Sequence, residues 1–503
     1  MGIKKYYASK DNTISNAFKG DLSTRGTGSN MGAADILEAF VIHGQTNDSL
    51  SAAQSEANAN AAEQSRILLQ FPVTDIIADM SSGELPSDVS KIKFHLNLYN
   101  APHGSSTPLD YTLDVFSLDG AWNEGTGLDM ENYSDLGVSN WIQKSSGNAW
   151  TKPGGDVVAA GATQKTFAFD TGLENLSLDV TDNVSRWVAG TDTNYGFLIK
   201  FQDTAVSSSD SFYTKKFFSR TSEYFHYQPT LEARWDSTRK DNRSNFYVSS
   251  SVATSADNLN TLFLYNIVRG QLKEIQNLDS HRLSVEIYSG STTPAGNALS
   301  VVDKTGTTVS SVKAGRLEEN GAVVTGVYTA SFASTSSFDT IFDVWHTGSG
   351  VNRVNFYTGS YEPGLIDTSD NLYTEEYITS VVNLEDSYTK GQKPSIRVFA
   401  RKKEWQPNIY TVASVDTEPS IIEDSYYRIH RIIDDLEVIP FGTGSANNNF
   451  SRLSYDVSGS YFDLDTSCLE PGYAYGITFA YYLQGKYKEQ PEVFKFKIKE
   501  EDK

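Results

Sequence analysis

The stretch Phe494-Lys495-Phe496-Lys497-Ile498-Lys499 alternates apolar and charged residues without a break. A period of two places Phe494, Phe496 and Ile498 on one side of an extended chain and the three lysines on the other. Such a strand has one dry and one wet face, which suits antiparallel sheets stacked as sandwiches. The same reading runs upstream. Tyr475, Ile477, Phe479 and Tyr481 share a face. So do Tyr195, Phe197, Ile199 and Phe201, with Gly196, Leu198 and Lys200 opposite. Phe94, Leu96 and Leu98 oppose His95, Asn97 and Tyr99, and Ser65-Arg66-Ile67-Leu68-Leu69-Gln70-Phe71 is a strongly apolar strand. Helical periodicity is scarce. Residues 51–63 are rich in Ala, Glu and Gln but carry no apolar stripe, and read equally as an exposed loop or a short helical turn. The expectation is an all-β protein.

Composition agrees. The chain has 503 residues, 28 Tyr and 26 Phe, and an aromatic-rich, Lys-poor composition favours strands over helix bundles. Its length exceeds one ordinary domain. The single cysteine, Cys468, excludes an intramolecular disulfide and a cysteine-rich metal site. The net charge of -21 argues against nucleic acid as a partner, since counterion release needs a basic surface. It argues equally against docking on an anionic membrane. Lys4 and Lys5 are followed by no apolar run, so no secretory signal is expected. Tyr6 stands where a myristoylation pattern needs Ser or Thr. No apolar stretch is long enough to span a bilayer.

Two polar breaks suggest boundaries: Asp236-Ser237-Thr238-Arg239-Lys240-Asp241-Asn242-Arg243, and Glu362-Pro363-Gly364 leading into Asp367-Thr368-Ser369-Asp370-Asn371. They divide the chain into units of 1–238, 239–366 and 367–503. The two smaller units have the size of single sandwiches.

The first unit carries landmarks in a fixed order. The apolar strand at 65–71 is followed by the loop Ala121-Trp122-Asn123-Glu124-Gly125-Thr126-Gly127. Then come Leu178-Asp179-Val180-Thr181-Asp182-Asn183-Val184-Ser185-Arg186-Trp187, Asn194-Tyr195-Gly196-Phe197-Leu198-Ile199 and the closing Pro229-Thr230-Leu231. This order resembles the DNRLRE-type jelly roll, also called carbohydrate-binding module family 96, over about residues 5–238. The start, Lys5-Tyr6-Tyr7-Ala8-Ser9-Lys10-Asp11-Asn12-Thr13-Ile14-Ser15-Asn16-Ala17-Phe18 and then Arg25-Gly26-Thr27-Gly28-Ser29-Asn30-Met31-Gly32, is similar to virion structural proteins of contractile-tailed marine phages. Those proteins pair a jelly-roll front with β-rich rear domains. On the residues alone, Tyr6, Tyr7 and Phe18 flank a polar edge strand, and Gly26, Gly28 and Gly32 permit turns of positive φ.

In the second unit, Val285-Glu286-Ile287-Tyr288 reads as a strand, and Tyr328, Ala330 and Phe332 point together. The segment Gly326-Val327-Tyr328-Thr329-Ala330 is similar to a late strand of immunoglobulin-like domains. In the third, Leu469-Glu470-Pro471-Gly472-Tyr473-Ala474-Tyr475 resembles the fibronectin type III corner. There Tyr475 would bury its ring and return its hydroxyl to nearby backbone. Cys468 beside it is expected to pack as a small apolar residue.

No residue set declares a chemistry, and no catalytic, cofactor-binding or metal-ligating residue is assigned. The seven histidines, His43, His95, His103, His226, His281, His346 and His430, include no zincin spacing. His95 is expected at a surface or interface and His346 at a strand end. No Gly-x-Ser-x-Gly elbow occurs. Arg25-Gly26-Thr27-Gly28-Ser29 and Phe441-Gly442-Thr443-Gly444-Ser445 lack the lysine of a phosphate loop and read as turns. The acids Asp114, Asp119, Glu124, Asp129, Glu131, Asp179, Asp182, Asp434, Asp435, Asp463 and Asp465 are expected on solvated faces. A glycosidase would need two of them across a cleft, one with a raised pKa. Trp122, Trp141 and Trp150 could stack sugars, but large aromatics more often serve burial, so they are expected to plug one end of the jelly roll.

The resemblances imply an all-β chain: an N-terminal jelly-roll sandwich, then two immunoglobulin/fibronectin III-like sandwiches. The implied role is a non-enzymatic structural part of a tailed phage virion, in tail, baseplate or neck. It would be assembled in the host cytoplasm and would touch other virion proteins in symmetric copies. The alternative is a virion protein that binds a host-surface glycan. No cofactor is expected.

Overall fold

The computed structural model describes residues 2–46, 50–59, 61–104, 107–128, 138–158, 163–276, 278, 283–363, 376–405, 419–442 and 449–500. Strand accounts for 43% and helix for 9%, so the protein is all-β. It divides into two compact units, Ile3–Trp235 and a second built from Asp236–Lys503 with the first two residues.

In the first unit, Ile3–Tyr7, Thr230–Arg234, Lys93–Leu98 and Leu176–Asp179 form one antiparallel sheet in that order. A second sheet runs Phe212–Phe218, Ile36–His43, Ala62–Gln70, Phe197–Phe201, Tyr111–Ser117 and Lys165–Phe169, with Lys10–Ser15 also paired to Ala62–Gln70. Phe94, Leu96, Leu98 and Leu231 of the first sheet share a buried core with Ile67, Leu69, Phe197 and Ile199 of the second. The polar stretch flanked by Tyr7 and Phe18 forms strand Lys10–Ser15, which pairs with Ala62–Gln70 and is mostly buried, while Ile3–Tyr7 lies at the edge of the first sheet.

The second sheet departs from the expectation of one wet face. Leu68 and Leu198 are buried too, in a separate cluster with Ile14, Phe116, Trp122, Trp141 and Trp150. The tryptophan-bearing loops fold back over the outer side, which is why 67–69 is an unbroken apolar run. Tyr195 joins this cluster and not the face of Phe197. Gly196 separates them with φ +93, and a Cβ there would lie 1.9 Å from the Leu69 carbonyl oxygen. Gly26, Gly28 and Gly32 do not take positive φ. Gly32 is required for closeness instead: a Cβ there would meet the Gly125 carbonyl oxygen at 2.3 Å.

Among the described residues, four α-helices stand where strands dominate, the shortest being Asp203–Ser207. Ala52–Ala59 settles the open reading of 51–63 as helix, while Glu63 lies in strand Ala62–Gln70 and is buried. Val73–Ser82 buries Val73 and Ile76, follows Pro72 and ends at Gly83 with φ +82. Thr181–Val188 buries Val184 and Trp187 on one stripe.

In the second unit, Asn260–Tyr265, Ala322–Ala333, Val301–Asp303 and Thr308–Val309 form one sheet, with Gly315–Glu319 paired to Ala322–Ala333. Val312–Lys313, Ser284–Ser289, Ile341–Thr347 and Val354–Tyr361 form another. Tyr328, Ala330 and Phe332 pack together in one core with Val285, Ile287 and Trp345. Further along, Tyr377–Val381, Ser395–Lys402, Gly459–Asp463 and Ser454–Asp456 make a third sheet. The fourth runs Ser387–Thr389, Phe494–Lys499, Ala474–Leu483, Ser425–Arg431 and Glu437–Ile439. Gly364 and Asp367 to Asn371, which mark the expected second boundary, lie outside the described residues.

Phe496 and Ile498 are buried and Lys495, Lys497 and Lys499 exposed. At the corner, the Tyr475 ring is fully buried; its hydroxyl donates to the Glu470 carbonyl at 3.0 Å and accepts the Glu470 N–H at 2.8 Å. Tyr475→Phe leaves that N–H and carbonyl without their partner, so a loss of about 1–3 kcal/mol is expected. Urea unfolding of the two proteins, followed by amide exchange in 469–482, measures it.

Candidate functional site

Trp122, Trp141 and Trp150 are buried, with 2%, 7% and 4% exposure. The Trp122 indole donates to the Tyr195 carbonyl and that of Trp150 to the Asn140 carbonyl, each at 2.8 Å. Arg66 lies over the Trp141 ring. These three rings are core elements and offer no sugar platform.

The exposed aromatic surface of this unit is elsewhere. Strand Phe212–Phe218 ends in Phe218; the chain then turns through 219–224 and the single turn Phe225–Tyr227 into strand Thr230–Arg234. Phe218 and Tyr227 stack with centroids 5.0 Å apart. Tyr224 stands edge-on to both, at 5.6 Å and 6.0 Å. Tyr99 approaches Tyr227 at 5.8 Å, and Tyr7 approaches Phe225 at 4.6 Å. Tyr224 is 51% exposed and the others are half-buried. Each contact contributes about 0.5–1.5 kcal/mol beyond burial, so the surface is rigid before anything binds. The sequence signal for it is Phe217-Phe218 and Tyr224-Phe225-His226-Tyr227, seven aromatic or imidazole rings counting Tyr99. A search for tryptophan passes over it.

A charged latch holds the segment in place. The Arg220 guanidinium grips both oxygens of Glu124, at 2.7 Å and 2.5 Å. The Arg220 N–H donates to Asp11 Oδ2 at 2.6 Å, and the Asp11 N–H donates to Glu124 Oε1 at 2.8 Å. Ser219 Oγ donates to the Ala34 carbonyl at 2.7 Å. Asp11 is 1% exposed. Burial pushes its carboxyl up to about 7; the Arg220 N–H opposes that and the Glu124 charge adds to it. A carboxyl with raised pKa beside a second carboxylate is what acid–base chemistry needs. Here one partner is shut from solvent and both oxygens of the other are occupied, so the geometry holds chain segments together.

The sheet beneath carries a cross-strand row, Lys5, Glu232, His95 and Asp179. Burial alone would raise the Glu232 carboxyl, but Lys5 and Arg234 outweigh it and hold it at about 2. Burial, with Arg234, pushes His95 down to about 4, so it is neutral at pH 7.

The remaining candidates are dispersed. His43 meets the Ala205 carbonyl at 3.3 Å, His103 the Asn100 amide oxygen at 3.0 Å, and His226 is buried. His346 is buried near the end of its strand, 3.5 Å from Glu286, and His430 lies 3.8 Å from Asp435. Asp114 departs from a solvated face: it is buried and accepts from Gln202. Asp465 is half-buried and caps a turn at Ser467, whereas Asp434 is exposed and pairs with Arg431. Asp182 pairs with Lys165 at 2.6 Å, and Asp119 and Asp463 stand apart from these pairs. His281, Asp129, Glu131 and the run from Thr443 to Ser445 lie outside the described residues. Cys468 is buried with Sγ 3.3 Å from the Asp465 carbonyl. Among the described residues, no group of three His, Cys, Asp or Glu is placed to hold a metal ion, and no helix is long and apolar enough to cross a membrane.

No protein-family model matches the chain. No curated protein matches it either. Among solved structures, it aligns with a crystal structure of a Salmonella alpha-2-macroglobulin variant at 10% identity and a TM-score of 0.14. That alignment covers 98% of this chain, which spans 26% of the other chain's length. An overlap so slight bears on neither fold nor function.

Proposed function

We propose that this chain is a non-enzymatic assembly protein of a tailed phage virion, working through contacts with other virion proteins. The observation that carries the reading is the pre-packed aromatic surface of Phe218, Tyr224, Tyr227 and Tyr99, held by the Arg220 latch. Rigid aromatic clusters anchor protein interfaces, because large area is buried with little side-chain entropy lost. A sugar needs an open, flat ring face. Phe218 and Tyr227 cover one another's faces and Tyr224 stands edge-on, so the surface is better shaped for protein than for glycan. The phage context rests on the resemblance of residues 5–18 and 25–32.

The test uses the full chain. Tyr224→Ala with Tyr227→Ala is expected to weaken incorporation into particles at least ten-fold, read by quantitative mass spectrometry of purified virions, at a temperature where circular dichroism shows the variant still folded, since the lost ring contacts lower the thermal midpoint. Selective glycan-array binding that the same pair of substitutions abolishes would replace this reading with the host-glycan alternative.

A further inference from the structure

Among the described residues, strand Val354–Tyr361 is the last in its sheet and pairs only with Ile341–Thr347. None of its eight residues is charged. Sandwich proteins normally blunt such an edge with lysine, proline or a covering segment. Here Val354, Phe356 and Tyr357 are 53%, 42% and 43% exposed. A bulge sits within the pairing: Trp345 faces Tyr357 and His346 faces Asn355, so Phe356 is the extra residue. Bulges re-aim side chains, and Phe356 forms one wall of a cleft of about 400 Å³.

The opposite wall is the hairpin of Ile267–Val268 and Gln271–Leu272. Arg269 and Gly270 close it with φ of 54 and 78, the two-residue turn whose twist matches its strands. Val268 and Ile275 supply apolar lining, and Arg269 and Lys273 supply charge. Both cations are exposed, and neither has an ion pair among the described residues. Among the described residues, Glu274 is the one acid lining the cleft, and it is engaged by the Tyr328 hydroxyl at 2.5 Å and by Arg316 at 3.4 Å. A chain of net charge -21 therefore presents a cationic cleft beside an open, uncharged strand edge.

We infer that this edge and cleft bind an extended segment of a partner protein that carries carboxylates. The segment adds a strand to the sheet, seats an apolar side chain against Phe356 and places its acids on Arg269 and Lys273. Main-chain pairing would give affinity, and the pocket and charges would give selectivity. A second copy of this chain fits less well. Two-fold antiparallel pairing through the same edge would lay the uncharged residues 358–361 beside each cleft and leave the cations unopposed.

The test pans the full chain against a random heptapeptide display library. Enriched peptides are expected to alternate β-branched residues and to carry Asp or Glu at one end. Their affinity should fall at least ten-fold for Phe356→Asp and, separately, for Arg269→Glu with Lys273→Glu. All three sites are exposed, so thermal midpoints should stay near the parent's. The inference is overturned if no sequence is enriched, or if the enriched peptides ignore both variants. It is overturned in favour of self-association if sedimentation shows a dimer that Phe356→Asp dissolves. The aromatic cluster plays no part in this binding, so either test can fail without the other.

Discussion

Asp343→Ala is expected to destabilise the second unit by about 3–5 kcal/mol, the cost of breaking a buried ion pair by removing one partner. Asp343 is fully buried and Arg243 is 6% exposed. The guanidinium reaches Asp343 at 2.7 Å, Asp241 at 2.6 Å and the Phe263 carbonyl at 2.8 Å. The Trp345 indole also donates to Asp343, at 2.6 Å. Alanine leaves three buried N–H donors, Arg243 Nε and Nη2 and the Trp345 indole, facing a void, and a cation with half its compensation. The partner acid should respond as well. Burial pushes Asp241 up to about 6, with Arg243 opposing and Asp343 adding to the rise. Without Asp343 its titration should move toward the ordinary carboxylate range. A triple variant, Arg243→Met with Asp343→Leu and Asp241→Leu, removes all three charges and should recover at least half of the loss. Guanidinium chloride unfolding and the Trp345 indole N–H resonance measure these effects. If the single and triple variants lose equally, the network is not what holds this core.

Much of the fold was legible because strand alternation is local. Phe494 to Lys499 and Phe94 to Leu98 declare their faces within six residues, and the corner at Tyr475 is a short pattern with one hydrogen-bonding solution. What escaped depends on distant chain. The double burial of Leu68 and Leu198 requires loops distant in the chain to return over the sheet. Helix Val73–Ser82 shows only two fully buried positions, too few to stand out as a stripe. The candidate site was harder still. Asp11, Glu124 and Arg220 are separated by 113 and 96 positions, so their convergence is a property of the fold. Tyrosine and phenylalanine are so common here that the cluster around Tyr224 has no compositional contrast, whereas the rarer tryptophan drew attention to Trp122, Trp141 and Trp150, which are buried.

Asp11→Asn should abolish the pH dependence that the latch imposes on the first unit. Asp11 has a native pKa raised to about 7 from 3.8. Between those values the folded protein keeps a proton that the unfolded chain releases. The contribution to stability is therefore fully present below pH 4 and is lost as pH rises through 7. The span corresponds to about 4 kcal/mol, since each pKa unit is worth about 1.4 kcal/mol. Asparagine keeps an oxygen to accept the Arg220 N–H and cannot ionise. Relative to the parent, the variant should be near-neutral at pH 4 and gain about 2–4 kcal/mol at pH 8. Urea unfolding at pH 4, 6 and 8, with Trp122, Trp141 and Trp150 reporting on this unit, gives the comparison. Because Arg220 anchors the chain just before Tyr224, amide exchange across 219–228 should quicken from pH 6 to 8 beyond its intrinsic rise in the parent and not in the variant. Parallel stability curves for the two proteins would mean that Asp11 is ionised throughout, with Arg220 compensating both carboxylates of the latch.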